Sequence, residues 1–273
     1  MARPRKVGRT AVAEAPAVEP VPAAPAGARS KVARAPTSPV LRASVAEAYD
    51  QILKAEAAPG AEAWGRRIFI VGASGSGKTY LGEGLTVEAI RRGVARIAFI
   101  HDQKDPTPQY GGTVRPTLEA LDANPPAPGD SPIIVFNDRI SRQAADPIAA
   151  RAIHNSRDRN IPTWVLIDEG AKAIAARQRW DGEALGVIER EGRGWGASIV
   201  VGTQIPQNMP NEVVDLASAI VIMRLDARSL NYVIDLFRLP TSTIDVISRL
   251  QLGEFLLYRA GDPQVSTTIY GPN

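Results

Sequence analysis

The segment 72–79 carries the residues whose types and spacing have the clearest chemical meaning. A full match to the phosphate-binding pattern G-x-x-x-x-G-K-[ST] runs through Gly72, Ala73, Ser74, Gly75, Ser76, Gly77, Lys78 and Thr79. Glycines at these positions let successive backbone N–H groups point inward at phosphate oxygens. We expect Lys78 to neutralise the β- and γ-phosphates of ATP and the hydroxyl of Thr79 to ligate Mg²⁺. The alternative is a glycine-rich turn that binds nothing.

Two acids follow an apolar stretch and form a second candidate group. Asp168 and Glu169 end the run Trp164-Val165-Leu166-Ile167, which is typical of a buried strand. Because ligands gather at the carboxyl ends of parallel strands, these acids can face the phosphates held by the loop. We predict that Asp168 holds the Mg²⁺ shell and that Glu169 polarises the attacking water as general base. The alternative is a pair of solvated acids at a strand end.

Phosphoryl transfer also needs a positively charged side chain beside the γ-phosphate and a second group that senses the γ-phosphate by contact. Gln204 follows the next apolar stretch and is predicted to touch both the water and the phosphate. The arginine could come from the same subunit or from a neighbour, and residue type alone does not choose among Arg190, Arg193, Arg224 and Arg228.

Alternating apolar strands and helices must position these residues. The predicted strands are 67–71, 96–100, 133–136, 163–167, 197–202 and 219–223, with loops at 103–116 and 122–132. The predicted helices are 44–57 with Ser44 as N-cap, the helix after the phosphate loop ending at Gly93, 141–155 interrupted near Pro147, 181–191, 227–237, and 244–250 with Ser242 as N-cap. Segments 253–258 and 265–270 are predicted to form a C-terminal β-hairpin. This order predicts an α/β protein with a mostly parallel sheet covered by helices on both faces.

Composition divides the 273 residues into a basic tail and a nearly neutral domain. Residues 1–42 hold eight Lys and Arg against two Glu, a net charge of +6, so that the rest carries −3 of the total +3. The tail is rich in Ala, Pro and Arg and is predicted to be disordered, as an arm for nucleic acid or an acidic partner, as a solvated tail, or as an organelle-targeting peptide. We expect 43–63 to form a helix and linker and 64–273 the phosphate-binding domain.

The absence of cysteine and the presence of only two histidines exclude disulfides, thiolate metal sites and a histidine-rich metal centre. No apolar run approaches the ~20 residues that span a bilayer, and no signal peptide is apparent.

Five features in order over residues 67–271 resemble the FtsK–HerA superfamily of ring-forming, DNA-pumping ATPases. They are the phosphate loop, a second strand ending in Asp102-x-Lys104, V-L-I-D-E at 165–169, R-G-W-G-A-S-I-V-V-G-T-Q at 193–204, and L-x-x-G-E-F-L-L-Y from Leu250. The resemblance implies a RecA-like core that forms a ring, usually a hexamer, around duplex DNA. It further implies that Arg193 is a finger reaching a neighbour's ATP, that Gln204 is the γ-phosphate sensor, and that Glu169 is the base.

The chain departs from several branches of that superfamily, because it shows no transmembrane segments, N-terminal β-barrel or C-terminal winged helix. What remains is similar to the genome-packaging ATPases of tailless, membrane-containing phages. This resemblance implies a location in the virion or host cytoplasm, with the tail docking a capsid vertex or membrane-associated viral protein. Residues that could face DNA are Lys104, Arg139, Arg142, Arg151, Arg177 and Arg179, although ordinary surface charge is the alternative.

Two other functions stay open at this point. One is a nucleotide-gated assembly or scaffold protein, and the other is a different FtsK–HerA-type translocase, acting in conjugation or DNA repair. A kinase that uses the same loop is a third alternative, but it would need an acceptor pocket and a lid with arginines, and neither is evident.

Overall fold

A broad β-sheet forms the centre of the protein. The computed structural model describes residues 41–54, 65–102, 112–125, 127, 131–174, 183–259 and 268–272. Within these ranges ten strands form one sheet: β1 (Arg42–Ser44), β2 (Arg67–Val71), β3 (Ile97–His101), β4 (Thr113–Arg115), β5 (Ile133–Phe136), β6 (Thr163–Ile167), β7 (Ala197–Thr203), β8 (Ala219–Met223), β9 (Phe255–Arg259) and β10 (Ile269–Gly271).

The strand order across the sheet is β1-β10-β9-β8-β2-β7-β6-β3-β5-β4. The seven strands from β8 to β4 are parallel, whereas β9 runs antiparallel to both β8 and β10. Strand β1 pairs in parallel with β10. The sheet is therefore mostly parallel, and the carboxyl ends of its seven parallel strands lie along one edge.

Helices cover both faces of the sheet. The described helices are α1 (Val45–Leu53), α2 (Lys78–Arg91), α3 (Leu118–Ala123), α4 (Arg142–Ile153), α5 (Gly170–Ala173), α6 (Ala184–Trp195), α7 (Asn211–Asp215), α8 (Ala227–Leu236) and α9 (Ser242–Ser248). Helices α1 and α2 pack on the face that carries Ile68 and Ile70 of β2. Helices α4, α6 and α8 pack on the opposite face, which carries Phe69 and Val71. Because successive strand residues point to opposite faces, an apolar strand such as β2 contributes to both cores.

All six predicted apolar strands are confirmed, with bounds that differ by one residue at most in β3 and β7. The antiparallel pairing of β9 and β10 confirms two strands of the predicted C-terminal hairpin, whose turn lies outside the described residues. Two short strands were not predicted. β1 begins at Arg42, which the sequence placed in the tail, and β4 lies inside the predicted loop 103–116. Helix α3 likewise overlaps the start of the predicted loop 122–132.

The predicted break at Pro147 is wrong, because α4 runs through that residue without interruption. Proline lacks an N–H, which deprives the Gln143 carbonyl of its helical partner. Both residues are exposed, so water can reach that carbonyl, while Ile148 and Ala149 hold the helix against the sheet. The irregular segment comes later, as a π-helix at His154–Asp158.

The ends of three other helices also test the predictions. Ser44 is confirmed as an N-cap, with Glu47 completing a capping box. Helix α9 instead begins at Ser242 with Thr241 as N-cap, because the Thr243 N–H already bonds to the Pro240 carbonyl. Helix α6 runs on to Trp195, beyond the predicted end at 191, and stops at Gly196 with φ of 77°.

Of the predicted tail, only Leu41 and Arg42 belong to the described residues, so the division into tail, linker and domain stays a prediction. In the parts of the chain that the structure describes, none of the helices has the length and apolar character needed to span a bilayer.

Candidate active site

The phosphate loop lies where three neighbouring parallel strands end. Strand β2 runs into the loop, β7 lies beside β2, and β6 lies beside β7. The Gly72 N–H donates to the Thr203 carbonyl at 3.2 Å, which ties the start of the loop to the residue before Gln204. The structure thus brings the loop, the acid pair and Gln204 to one edge of the sheet, as the sequence predicts.

Backbone contacts fix the shape of the loop. The Ala73 N–H donates to the Arg224 carbonyl at 2.7 Å, and the Gly253 N–H donates to the Ser76 carbonyl at 3.1 Å. Gly77 has a φ of 101°, a conformation that favours glycine. A Cβ at Gly72 would lie 2.5 Å from the Ser76 hydroxyl, so no larger residue fits there. The loop is therefore curled against β8 and the turn before β9.

Lys78 begins α2 and is buried, and its ammonium lies back over the loop. Its Nζ donates to the Ala73 carbonyl at 3.0 Å. A positive charge held inside this curve, together with the N-terminus of a 14-residue helix, makes the loop favourable for an anion. Phosphate oxygens of a nucleotide are the anions that this motif accommodates in other proteins.

Thr79 and Asp168 meet across the gap between α2 and β6. The Thr79 hydroxyl donates to Asp168 Oδ1 at 2.8 Å, and the Asp168 side chain is buried. Both supply hard oxygen donors beside a phosphate site, which is the chemistry that Mg²⁺ prefers. These two residues therefore fit the metal that accompanies a nucleotide.

Glu169 and Gln204 form a second contact at the same edge. The Gln204 Nε2 donates to Glu169 Oε1, and Glu169 is 6% exposed. The pair joins the end of β6 to the end of β7. A carboxylate oriented by an amide in this way is placed to accept a proton from water in the adjoining cleft.

Two of the four candidate arginines lie near the carboxyl ends of the parallel strands, and the other two lie on α6, which ends near their amino ends. Arg224 follows β8 and is exposed next to the loop, and Arg228 is the second residue of α8. Arg193 is on α6 at the opposite edge, where its carbonyl accepts from the Gly65 N–H at 2.9 Å. Gly65 precedes Gly72 by seven residues, so about 20 Å of strand separates Arg193 from the loop of its own chain. Arg190, which pairs with Glu212 at 3.5 Å, lies on the same helix.

Solved structures with a similar fold are known. The genome packaging NTPase B204 of Sulfolobus turreted icosahedral virus 2, in complex with AMPPCP, matches with a TM-score of 0.59 at 17% identity, over 77% of this chain and 98% of that chain. The DNA-packaging ATPase B204 of Sulfolobus turreted icosahedral virus matches with a TM-score of 0.57 at 19% identity, over 76% and 97%. VirB4 of Thermoanaerobacter pseudethanolicus matches with a TM-score of 0.54 at 13% identity, over 72% and 87%.

The chain shares the fold of these packaging enzymes and of VirB4. At these identities the likeness concerns the fold. Neither models of protein families nor curated protein sequences match the chain.

The fold also brings together a polar pair, His101 and Asp138, that the sequence analysis missed. His101 ends β3, the strand beside β6, and its ring lies 2.7 Å from Asp138 Oδ1. Burial lowers the pKa of His101, while the neighbouring Asp138 opposes that change. The backbone connects this group to the acid pair, because the Asp168 N–H donates to the His101 carbonyl at 3.2 Å. Polar residues just after two neighbouring strands were the signal available in the sequence.

The six basic residues predicted to face DNA do not form one surface in the described part of this fold. Arg142 pairs with Glu183, and Arg151 pairs with Asp122 at 2.9 Å. Arg139 and Arg142 follow β5, but Arg151 lies about 14 Å further along α4, toward the other edge of the sheet. Lys104, Arg177 and Arg179 lie outside the described residues. DNA contact by any of the six stays a prediction.

Proposed function

We propose that this protein is an ATP-hydrolysing ring motor that translocates double-stranded DNA, acting in the packaging of a viral genome. The observation that carries the proposal is the division of the catalytic set between two edges of the sheet. The loop, Asp168, Glu169 and Gln204 lie together at one edge, and Arg193 lies at the other. A complete site then needs two copies of the chain.

Within one subunit, the loop binds the triphosphate and Lys78 balances the charge of its β- and γ-phosphates. Thr79 and Asp168 hold Mg²⁺, which supplies charge neutralisation when it is bound. Glu169 accepts a proton from the attacking water, and Gln204 keeps the carboxylate facing the cleft. The buried positions of Lys78, Asp168 and Glu169 support these roles, because electrostatic interactions are stronger where water is excluded.

Between subunits, Arg193 supplies positive charge to the γ-phosphate of the neighbour's ATP. Its distance from the loop of its own chain, about 20 Å along β2, supports action in trans. Loss of the γ-phosphate removes a group that Arg193 and Gln204 both contact, so that subunits shift against each other. That shift moves loops that contact the DNA backbone.

The packaging role is supported by the fold neighbours that are described as genome-packaging or DNA-packaging enzymes. The basic residues 1–42, with a net charge of +6, suit a partner of negative charge. This segment docks the motor to a capsid vertex or membrane-associated viral protein, while the ring holds DNA.

ATP turnover by the full chain, measured with and without duplex DNA and combined with native mass spectrometry, tests the proposal. We expect ATP hydrolysis that duplex DNA stimulates, in a particle several times the 29.2 kDa of one chain. Hydrolysis that duplex DNA leaves unchanged would instead favour a nucleotide-gated assembly protein.

A further inference from the structure

Exposed apolar side chains are concentrated next to the phosphate loop. Among the described residues, four large apolar side chains are mostly or half exposed: Leu41 at 61%, Tyr80 at 63%, Ile205 at 50% and Leu252 at 68%. Tyr80 follows Thr79 directly, and Leu252 precedes Gly253, whose N–H donates to the Ser76 carbonyl. Exposing such groups to water is unfavourable, so a ligand that covers two of them at the loop has an energetic reason to bind there.

The strand order fixes which way a nucleotide must lie in the loop. The acid pair and Gln204 follow β6 and β7, which are on one side of β2. The γ-phosphate has to lie on that side, because hydrolysis takes place there. The α-phosphate, the sugar and the base therefore extend toward the other side of β2, where β8 and β9 lie.

Tyr80 is on the face of α2 that is turned away from the acid pair. Thr79 bonds to Asp168, and a Cβ on Gly82 would lie 2.9 Å from Leu166, so these positions face β6. Tyr80 instead shares a face with Gly84, four residues later, where a Cβ would lie 2.2 Å from the hydroxyl of Tyr49. Side chains on a helix lean toward its N-terminus. Tyr80 therefore occupies the first turn of α2 on the side away from the acid pair, near Tyr49 of α1, whose pKa is raised by burial and also by Tyr80.

Leu252 lies on that same side of the loop. It belongs to the turn before β9, and this turn is held by the bond between Gly253 and Ser76. A Cβ at Gly253 would lie 3.4 Å from Pro272, so the end of the described chain closes the far side of the turn. Ile205, by contrast, follows Gln204 on the γ-phosphate side.

We infer that Tyr80 and Leu252 form the subsite for the nucleotide base, with the Tyr80 ring stacking on the face of the base and Leu252 covering its other side. This inference rests on the proposed binding of nucleotide by the loop. Stacking contacts read the face of a base and not its edges, so they tolerate different bases. The ligand class is a nucleoside triphosphate with weak discrimination between adenine and guanine.

Affinities of the full chain for ADP and for inorganic pyrophosphate test this subsite, because pyrophosphate has the two phosphates but neither sugar nor base. Titration calorimetry would compare wild type with Tyr80→Ala, Tyr80→Phe and Leu252→Ala. We expect Tyr80→Ala to weaken ADP by roughly 5- to 150-fold and to change pyrophosphate by less than about twofold. Tyr80→Phe keeps the ring and should bind ADP within about twofold of wild type, and GDP should bind wild type within about tenfold of ADP, since edge-reading sites discriminate far more strongly.

Leu41→Ala is the matched control. Leu41 is about as exposed as Tyr80, but it precedes β1, the outermost strand of the sheet, which is four positions away from β2. ADP affinity that is unchanged in Tyr80→Ala would overturn the subsite while leaving the phosphate loop intact. A Tyr80→Phe variant as weak as Tyr80→Ala would also overturn it, by showing that the hydroxyl and not the ring is needed. If wild type binds neither ADP nor pyrophosphate, the proposed nucleotide site itself is wrong.

Discussion

Lys78 is the residue on which nucleotide binding depends most. Its ammonium is held over the loop by the Ala73 carbonyl, in a buried position where phosphate charge has little water to screen it. Replacing Lys78 with alanine should remove ATP binding or turnover, measured by calorimetry and phosphate release. Lys54→Ala, at the exposed end of α1, should leave both unchanged. Normal turnover by Lys78→Ala would show that the loop is not the phosphate site.

Glu169 is the residue whose substitution should slow ATP hydrolysis while leaving ATP binding intact. Glutamine keeps the shape of the side chain and can still contact Gln204, but it cannot accept a proton. Glu169→Gln should therefore bind ATP with near-normal affinity, and its rate of hydrolysis should fall by about 10²-fold or more. Single-turnover measurements with the exposed Glu191→Gln variant as control would check this. If Glu169→Gln retains wild-type turnover, the general base is another group.

Much of the site at this scale follows from local sequence. The loop, the acid pair and Gln204 each end an apolar run, and parallel strands place such ends along one edge. The contact between His101 and Asp138 joins strands β3 and β5, and it depends on which strands become neighbours. The sequence places polar residues at the ends of both strands, but residue types alone do not show that β3 and β5 are neighbours.

At the scale of elements, the buried strands were predictable because both of their faces are covered, so that no polar residue interrupts them. The short strands β1 and β4 were not, because three residues carry too little pattern and each is held by an edge neighbour. At helix α4 the sequence predicted a break that the structure does not have. Its packing against the sheet outweighs the local cost of Pro147, a balance that local sequence does not reveal.

Helix α6 carries a buried acid whose ionisation should make stability depend on pH. Burial raises the pKa of Glu189 from 4.5 to about 8, while Arg67 opposes and Glu212 adds to that rise. The folded protein then binds this proton more tightly than the unfolded chain, so the stabilisation is complete below pH 4.5 and is lost as the pH rises through about 8.

Glu189→Gln mimics the protonated side chain and should remove this dependence. Its melting temperature should match that of wild type near pH 4.5 and exceed it near pH 8, by an amount worth a few kcal/mol. Thermal melts across this range would measure the difference, with the exposed Glu191→Gln on the same helix as the control variant. An equal difference at both ends of the range would show that Glu189 is ionised throughout.

At the scale of the whole molecule, DNA binding should be strongly sensitive to salt. A motor that grips the phosphate backbone releases counterions on binding, and its affinity falls steeply as salt rises, whatever the sequence of the duplex. Fluorescence anisotropy between 50 and 200 mM salt should show a fall of about 10³-fold or more if six or more phosphates are contacted. An affinity that does not change over this range would contradict DNA contact through basic residues.

The central claim is that ATP is hydrolysed in a site shared by two chains. Lys78→Ala damages the loop side of that site, and Arg193→Ala damages the side contributed from the opposite edge of the sheet. Each variant alone should be inactive. Mixed in equal amounts, the two should regain part of the wild-type turnover, because some interfaces then pair an intact loop with an intact arginine. No recovery on mixing, or full turnover by Arg193→Ala alone, would contradict the account.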